Sequence, residues 1–184
     1  MSSIILTGDT SGTLTVSAPL VAGSNTLTLA AATGTIAPLV SGTTVASTSG
    51  TSIDFTSIPS WVKRITIMFN AVSTNGTSNY QVQIGSGSVT TTGYVSGSGV
   101  TTSTTGFLAC TNLSASTLQS GTSILTTLGS NVWVNSATVG ASGGNATSLC
   151  NGYITLGGTL DRVRITTVNG TDTFDAGSIN ILYE

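Results

Sequence analysis

A short-period alternation of apolar and polar residues recurs along the chain and constrains its fold more than any other feature. In one run, Ile65, Ile67 and Phe69 alternate with Arg64 and Thr66. A period of 2 places apolar side chains on one face of a β-strand and polar side chains on the other. No window of about 11–18 residues shows the period of an amphipathic helix. The sequence therefore predicts an all-β fold without a long helix.

Ten such runs follow one another between turns rich in Gly, Ser, Asn and Thr. They lie near 51–57, 62–71, 79–85, 90–96, 105–110, 122–127, 131–137, 150–156, 161–168 and 177–183. Short strands at this spacing favour an antiparallel β-sandwich or a jelly roll. The Ser/Thr/Gly-rich stretch 86–130 has the weakest pattern, so the strand order there stays open.

The composition excludes several chemistries. Ser, Thr and Gly make up 86 of the 184 residues, only 5% are charged, and there is no His. Without an imidazole there is no Ser-His-Asp machinery and no histidine metal ligand. Four scattered cations and a net charge of −2 leave no basic surface for nucleic acid. We therefore expect no catalytic residues, no metal, no cofactor and no nucleic-acid partner.

A membrane or secretory role is also not expected. No apolar run approaches the ~18 residues of a membrane-spanning helix. The first residues lack the basic region of a signal peptide. We expect no membrane insertion.

The N-terminal quarter of the sequence differs from the rest. Residues 10–53 carry no charge, and no aromatic residue precedes Phe55. Two similar segments, Ser11–Ala18 and Ser24–Ala31, each read as a short strand with threonines on one face. The opposite, apolar face carries Leu14, Val16, Leu27 and Leu29.

Two small strands without an aromatic residue cannot bury a core of their own. Association of several chains around an axis would cover the apolar face. The sequence therefore predicts an intertwined β stalk at 1–45, which attaches and trimerises the protein, followed by an antiparallel β-sandwich or jelly-roll-like knob at 46–184.

Three aromatic residues fall out of phase with the apolar alternation. Trp133 shares its side of the strand with Asn131 and Asn135, whereas Val132 and Val134 hold the apolar phase. Rings flanked by amides can stack on sugar rings while the amides bind hydroxyl groups.

Tyr153, beside Asn151 and Thr155, and Tyr94, between Thr92 and Ser96, follow the same pattern. A subunit interface would also place such rings on a polar face, and this is the preferred interpretation. The alternative is a glycan site, with the candidate residues Trp133, Tyr153, Tyr94, Asn131 and Asn135.

The two cysteines, Cys110 and Cys150, each border a strand-like run. A disulfide between them would close a loop of about 40 residues, worth nominally 3–4 kcal/mol. A reducing compartment would oppose a bridge, and each Cys also reads as a small buried apolar residue. We expect the bridge, because both residues lie beside a long Ser/Gly-rich segment that a disulfide would hold in place.

The few charged residues are expected to pair with one another or to be solvated. Arg162 and Arg164 share one face of a strand, which favours pairing with Asp161 or Asp54 over binding of an acidic sugar. The acids at 172 and 175 are interpreted as turn residues rather than as calcium ligands, because the bidentate Glu of a calcium loop is missing.

Three parts of the sequence resemble phage tail-fibre and related virion-fibre proteins. They are the stalk segments, Thr51–Ile65 and Asp172–Glu184. The resemblance implies a homotrimeric fibre that is anchored in the virion by its N-terminus and faces the host with its C-terminal β domain. The chain is short for a tail fibre, which leaves a head fibre or a decoration protein as alternatives.

The expected function is therefore that of a non-enzymatic structural component of a bacteriophage virion. It would be assembled in the host cytoplasm, displayed on the virion surface and bound to other virion proteins through its N-terminus. Its partner outside the virion would be a host-surface glycan or protein. The alternatives are a capsid or tail decoration protein without a receptor role and a polysaccharide-degrading tip.

Overall fold

The structure is a computed structural model that describes residues 3–7, 11–17, 37–111, 113–144 and 146–184. The chain divides into two units, Met1–Ile36 and Ala37–Glu184. Every regular element in the described residues is a β-strand, and all strand pairings are antiparallel, which confirms the predicted antiparallel all-β class. In these ranges we find no helix of the length and hydropathy needed to span a bilayer.

Sixteen strands are described. They are β1 Ser3–Thr7, β2 Thr13–Ser17, β3 Val40–Ser41, β4 Val45–Ala46, β5 Ser52–Thr56, β6 Arg64–Thr74, β7 Tyr80–Ser86, β8 Ser88–Val89, β9 Val95–Ser98, β10 Thr101–Ser103, β11 Phe107–Cys110, β12 Gln119–Gly129, β13 Val132–Ala141, β14 Thr147–Thr155, β15 Arg162–Thr167 and β16 Phe174–Tyr183.

The first unit contains an antiparallel hairpin formed by β1 and β2. Ile4 lies opposite Val16, and Leu6 lies opposite Leu14. The strand predicted over 11–18 is therefore confirmed, but its partner in the hairpin is β1, which the alternation did not predict. The second predicted stalk strand, with Leu27 and Leu29, lies outside the described residues.

The second unit consists of two antiparallel sheets. The large sheet has the order β10-β9-β14-β13-β12-β6-β16-β3, with β4 also paired to β16. The small sheet has the order β11-β7-β15-β5, with β8 also paired to β7. Apolar residues from both sheets form one shared core, so the two sheets pack face to face in a sandwich-like arrangement.

The second unit begins at Ala37, ahead of the boundary that the sequence predicted at residue 46. The reason is that β3 and β4 pair with β16 and extend one edge of the large sheet. Residues assigned to the stalk from sequence thus supply two short strands of this sheet.

The core follows the predicted alternation in the central strands. Ile65, Ile67 and Phe69 of β6 point inward from the large sheet and are buried. Val82 and Ile84 of β7 do the same from the small sheet. The intervening residues face outward, so each strand contributes one apolar face to the space between the sheets.

Buried serines join the two sheets at one end. The Leu108 amide in β11 of the small sheet donates to Ser96 Oγ in β9 of the large sheet at 2.9 Å. The Thr111 amide, just after β11, donates to Ser148 Oγ in β14 at 2.9 Å. Ser148 in turn donates to the Thr111 carbonyl at 3.2 Å. These hydroxyl groups satisfy backbone groups that an edge strand would otherwise leave unpaired.

We expect Ser148→Ala to lower the free energy of unfolding by about 1–3 kcal/mol, because it leaves the buried Thr111 amide without an acceptor. Ser136→Ala is the matched control, since Ser136 is exposed on β13 and should change stability by no more than about 0.5 kcal/mol. Equilibrium urea unfolding of both variants measures the difference. Equal effects of the two substitutions would contradict the role given to Ser148.

Candidate functional site

Trp133 points into the core, not onto a polar surface. Its side chain is 4% exposed and belongs to the main apolar cluster. In β13 the inward residues are Trp133, Asn135, Ala137 and Val139, whereas Val134 faces outward. The predicted phase of this strand is therefore wrong, and the ring is available neither for stacking on a sugar nor for a subunit interface.

Asn135 is a buried core residue beside Trp133, which corrects its assignment to a sugar site. Its Nδ2 donates to Ser123 Oγ of the neighbouring strand at 2.6 Å. Its Oδ1 is buried without a hydrogen-bond partner among the described residues. The side chain therefore links β13 to β12 inside the core and cannot reach a ligand at the surface.

Tyr94 is also buried, so its assignment to a polar face is wrong. Its ring packs edge-on against Phe107, with ring centroids 4.9 Å apart. Its hydroxyl accepts from the Ile84 amide at 2.7 Å and lies 3.0 Å from the Thr90 carbonyl. Burial raises the pKa of Tyr94 to about 12. This residue ties the segment before β9 to β7 and is structural.

Tyr153 is the one aromatic candidate that the structure leaves on the surface. It is 52% exposed on the outer face of the large sheet, directly opposite Val95 of β9. Val95 and Leu149, which share this face, are exposed as well. Both predicted roles, in an interface and in a glycan site, remain open for Tyr153.

Asn131 and Trp133 border the same small cleft at the turn between β12 and β13. Its volume is about 120 Å³, well below the roughly 300–1,000 Å³ of typical ligand pockets. Trp133 contributes little accessible surface to it, because only 4% of this residue is exposed. The cleft is too small to hold a ligand of the predicted kind.

The two cysteines are free, which overturns the predicted disulfide. Cys110 Sγ lies within hydrogen-bonding reach of Gln119, Ser148 and the Val139 carbonyl. Cys150 instead packs in a separate apolar cluster with Leu108 and Ala137. Burial raises the pKa of both thiols, so each behaves as the small buried residue of the alternative interpretation.

The predicted pairing of the arginines is confirmed. Arg164 of β15 makes two hydrogen bonds, of 2.6 and 2.9 Å, to Asp54 on the adjacent strand β5. Arg162 binds the neighbouring Asp161 at 2.7 Å, and this hydrogen bond lowers the pKa of Asp161. Asp172 accepts hydrogen bonds from Asn169 Nδ2 in its own turn and from the Ser78 amide in the loop between β6 and β7.

The outer face of the small sheet carries a polar cleft of about 320 Å³. Its floor is set by strand register, because Gln81 and Thr166 lie side by side, as do Gln83 and Arg164. Its lining residues are Thr51, Ser52, Gln81, Gln83, Thr91, Thr105, Arg164, Thr166, Thr167, Val168, Asn169 and Gly170. We refer to it as the glutamine cleft.

A loop across β7 buries the two glutamines of this cleft although they face outward. Gln83 Nε2 donates to the Thr105 carbonyl at 2.8 Å, and Thr105 Oγ1 donates to Gln81 Oε1 at 3.0 Å. The backbone of Gly106 lies directly against both, since a Cβ there would sit 2.8 Å from Gln81 Oε1 and 3.1 Å from Gln83 Cγ. The glutamines therefore form a fixed wall.

The glutamine cleft was not identified from the sequence. The available signal was that two of the chain's three glutamines occupy alternate positions of one strand, opposite the apolar phase of β7. The loop that covers the two glutamines is formed by residues 103–106, about 20 residues further along the chain. The local pattern of β7 therefore does not show that Gln81 and Gln83 are buried.

Comparison of the chain with models of protein families, with curated proteins and with solved structures finds no match.

We expect Tyr94→Phe to lower the free energy of unfolding by about 1–3 kcal/mol near neutral pH, because the Ile84 amide loses its acceptor. Because the pKa of Tyr94 is about 12 in the folded state and about 10 in the unfolded state, its protonation favours the folded state. This contribution is complete below about pH 10 and is lost as the pH rises towards about 12. The variant should therefore lose stability less steeply over that range than the parent chain.

Urea unfolding at several pH values measures both effects. Tyr153→Phe is the matched control at neutral pH, because the Tyr153 side chain is half exposed and should tolerate the change. Stability curves of Tyr94→Phe and the parent chain that run parallel between about pH 10 and about pH 12 would refute the coupling.

Proposed function

We propose that this chain is a non-enzymatic structural component of a bacteriophage virion, a homotrimeric fibre that adheres to the host surface. Residues 1–36 act as an intertwined β stalk that trimerises and binds other virion proteins, and residues 37–184, whose β3 and β4 extend the large sheet, act as a β-sandwich knob. The fibre is assembled in the host cytoplasm and displayed on the virion surface. The observation that carries the proposal is the apolar surface of the β1–β2 hairpin.

The hairpin exposes apolar side chains on both of its faces. Ile4 is 65% exposed, Ile5 60%, Leu6 56% and Val16 50%. An isolated two-stranded hairpin is marginal in water, and apolar exposure of this density is typical of an association surface. No charged residue lies in either strand, so copies of the hairpin can pack together without burying a charge.

The resemblance of Thr51–Ile65 and Asp172–Glu184 to virion-fibre proteins implies an assembly of three copies. A closed cyclic assembly places the same surface of every subunit around one axis, which suits the apolar stripe formed by Ile4, Leu6 and Val16 on one face of the hairpin. The same resemblance supports the assignment to a virion and the adhesive role of the C-terminal unit.

The use of the carboxylates supports a role without catalysis. In the described residues, Asp54, Asp161 and Glu184 each bind an arginine. Asp175 accepts a hydrogen bond from Ser73, and Asp172 accepts one from the Ser78 amide of the loop between β6 and β7. A glycosidase needs two carboxylates facing each other across a cleft, and none of these is placed in that way.

The free cysteines and the neutral surface support the proposed location and mode of contact. Two unbridged thiols suit assembly in a reducing cytoplasm. A surface rich in hydroxyl groups and poor in charge contacts its partners through hydrogen bonds that salt screens weakly. Such contacts remain effective outside the cell, where ionic strength varies.

The hairpin provides the test of assembly. In the double variant Ile4→Glu, Val16→Lys, opposite charges face each other across the strands, which preserves the pairing but places charge on the apolar stripe. We expect the full-length chain to be a trimer at micromolar concentration and the double variant to be largely monomeric. Light scattering coupled to size-exclusion chromatography measures both.

The matched control is Thr7→Glu, Thr13→Lys, which introduces the same charges at the facing pair on the other side of the hairpin. It should remain trimeric. A monomeric parent chain would refute the fibre. A trimer that does not bind host cells would favour the alternative function of a decoration protein without a receptor role. Release of reducing sugar from a capsular polysaccharide would show that the protein is a polysaccharide hydrolase.

A further inference from the structure

The glutamine cleft has the size and the wall of a ligand site. Its volume of about 320 Å³ falls at the lower end of the range for small-molecule pockets. Its wall is built from side chains held by hydrogen bonds, because Gln81 and Gln83 are both more than nine-tenths buried beneath Thr105 and Gly106. A site with fixed walls binds without first losing conformational entropy.

Two polar groups of this cleft have hydrogen-bonding capacity that the protein does not use. Gln83 is 6% exposed, and its Oε1 accepts no hydrogen bond from another described residue, although its Nε2 is bound. Arg164 uses Nε and Nη2 on Asp54, and its Nη1 is bound to no described residue. The cleft thus offers an acceptor and a donor from side chains that lie side by side in the sheet.

The charge of the cleft is balanced. Arg164 is the only charged residue among the lining residues, and its partner Asp54 on the next strand neutralises it through two hydrogen bonds. An anionic ligand would approach the Asp54 carboxylate as well as the guanidinium. A neutral ligand avoids this repulsion and needs no desolvation of a charge.

The remaining lining residues offer hydroxyl and amide groups together with one apolar side chain, Val168. Such a surface cannot bind an apolar or aromatic ligand tightly, because it has little apolar area to bury. It matches a ligand whose every polar group both donates and accepts, as a sugar hydroxyl does.

We propose that the glutamine cleft binds one unit of a neutral saccharide, with Gln83 Oε1 and Arg164 Nη1 contacting adjacent hydroxyl groups. The inference rests on the proposed adhesive function and assigns that function a site. A shallow contact of this size is weak for a single copy. Several cleft copies on one fibre would raise the overall affinity through their effective concentration.

The test blocks the cleft mouth without disturbing the fold. Thr91 lines the cleft, is exposed and makes no hydrogen bond to another described residue, so Thr91→Trp should fold normally and fill the opening. Thr92→Trp is the matched control, because Thr92 is also exposed but does not line the cleft. Thermal unfolding and light scattering of each variant report on fold and assembly.

Saturation-transfer NMR on the full-length chain would use four neutral sugars, galactose, glucose, N-acetylglucosamine and rhamnose, and two acidic sugars, glucuronate and N-acetylneuraminate. We expect at least one neutral sugar to bind with a millimolar Kd. Thr91→Trp should weaken that binding at least tenfold, and Thr92→Trp should leave it unchanged.

Three results would overturn the assignment: no binding of any of the six sugars, binding that survives Thr91→Trp, or binding of the acidic sugars alone. The oligomeric state separates the two proposals. A trimer whose sugar binding does not depend on Thr91 refutes the site and leaves the fibre. A monomer whose binding does depend on Thr91 supports the site and refutes the fibre.

Discussion

The packing of the two sheets depends on hydroxyl and amide groups that satisfy the buried backbone where the sheets meet. From Ile65 to Leu160 the chain has no charged side chain, although this stretch supplies most strands of both sheets. Ser96 and Ser148 accept from amides of the opposite sheet, and Ser47 Oγ donates to the Ala176 carbonyl at 2.7 Å. Each such bond adds little net stability, but an unpaired buried backbone group would cost more. The buried serines are therefore structural residues of this core.

The alternation predicted the core well where one face of a strand is clearly apolar. In β6, β7 and β15 the inward residues are Ile, Val and aromatic residues, and the outward ones include Gln83 and Arg164. In β13 the rule failed, because Val132 and Val134 lie on the outer face while Asn135 lies on the inner one. The C-terminal half of β13 does indicate which residues face inward, because Val139 lies on the same side of the strand as Trp133. The hydrogen bond from Asn135 to Ser123 offsets part of the cost of burying this amide. Because Ser123 lies on the neighbouring strand, the pattern of β13 alone cannot reveal it.

The site residues were harder to predict because their environment comes from distant segments. Tyr94 precedes β9, and its burial depends on Phe107 and on the backbone of β7. Gln83 looks like an ordinary outward residue of β7 until the Thr105 carbonyl covers it. Cys110 lies in β11 and Cys150 in β14, two strands that pack near each other, yet their side chains enter different clusters. In each case tertiary contacts, and not the local period, decide whether the side chain is accessible.

The polar groups of the core differ from those of the glutamine cleft in how far the protein satisfies them and in whether they reach an open surface. Ser148 both accepts and donates within the core, and the Tyr94 hydroxyl bonds to backbone groups on two sides. In the glutamine cleft, by contrast, Gln83 and Arg164 each direct only part of their capacity inward. Residue type cannot separate these cases, since hydroxyl and amide side chains fill both roles. In the described residues the buried side-chain atom left unpaired is Asn135 Oδ1, whereas the unused groups of Gln83 and Arg164 border an open cleft, where a ligand can replace solvent at them.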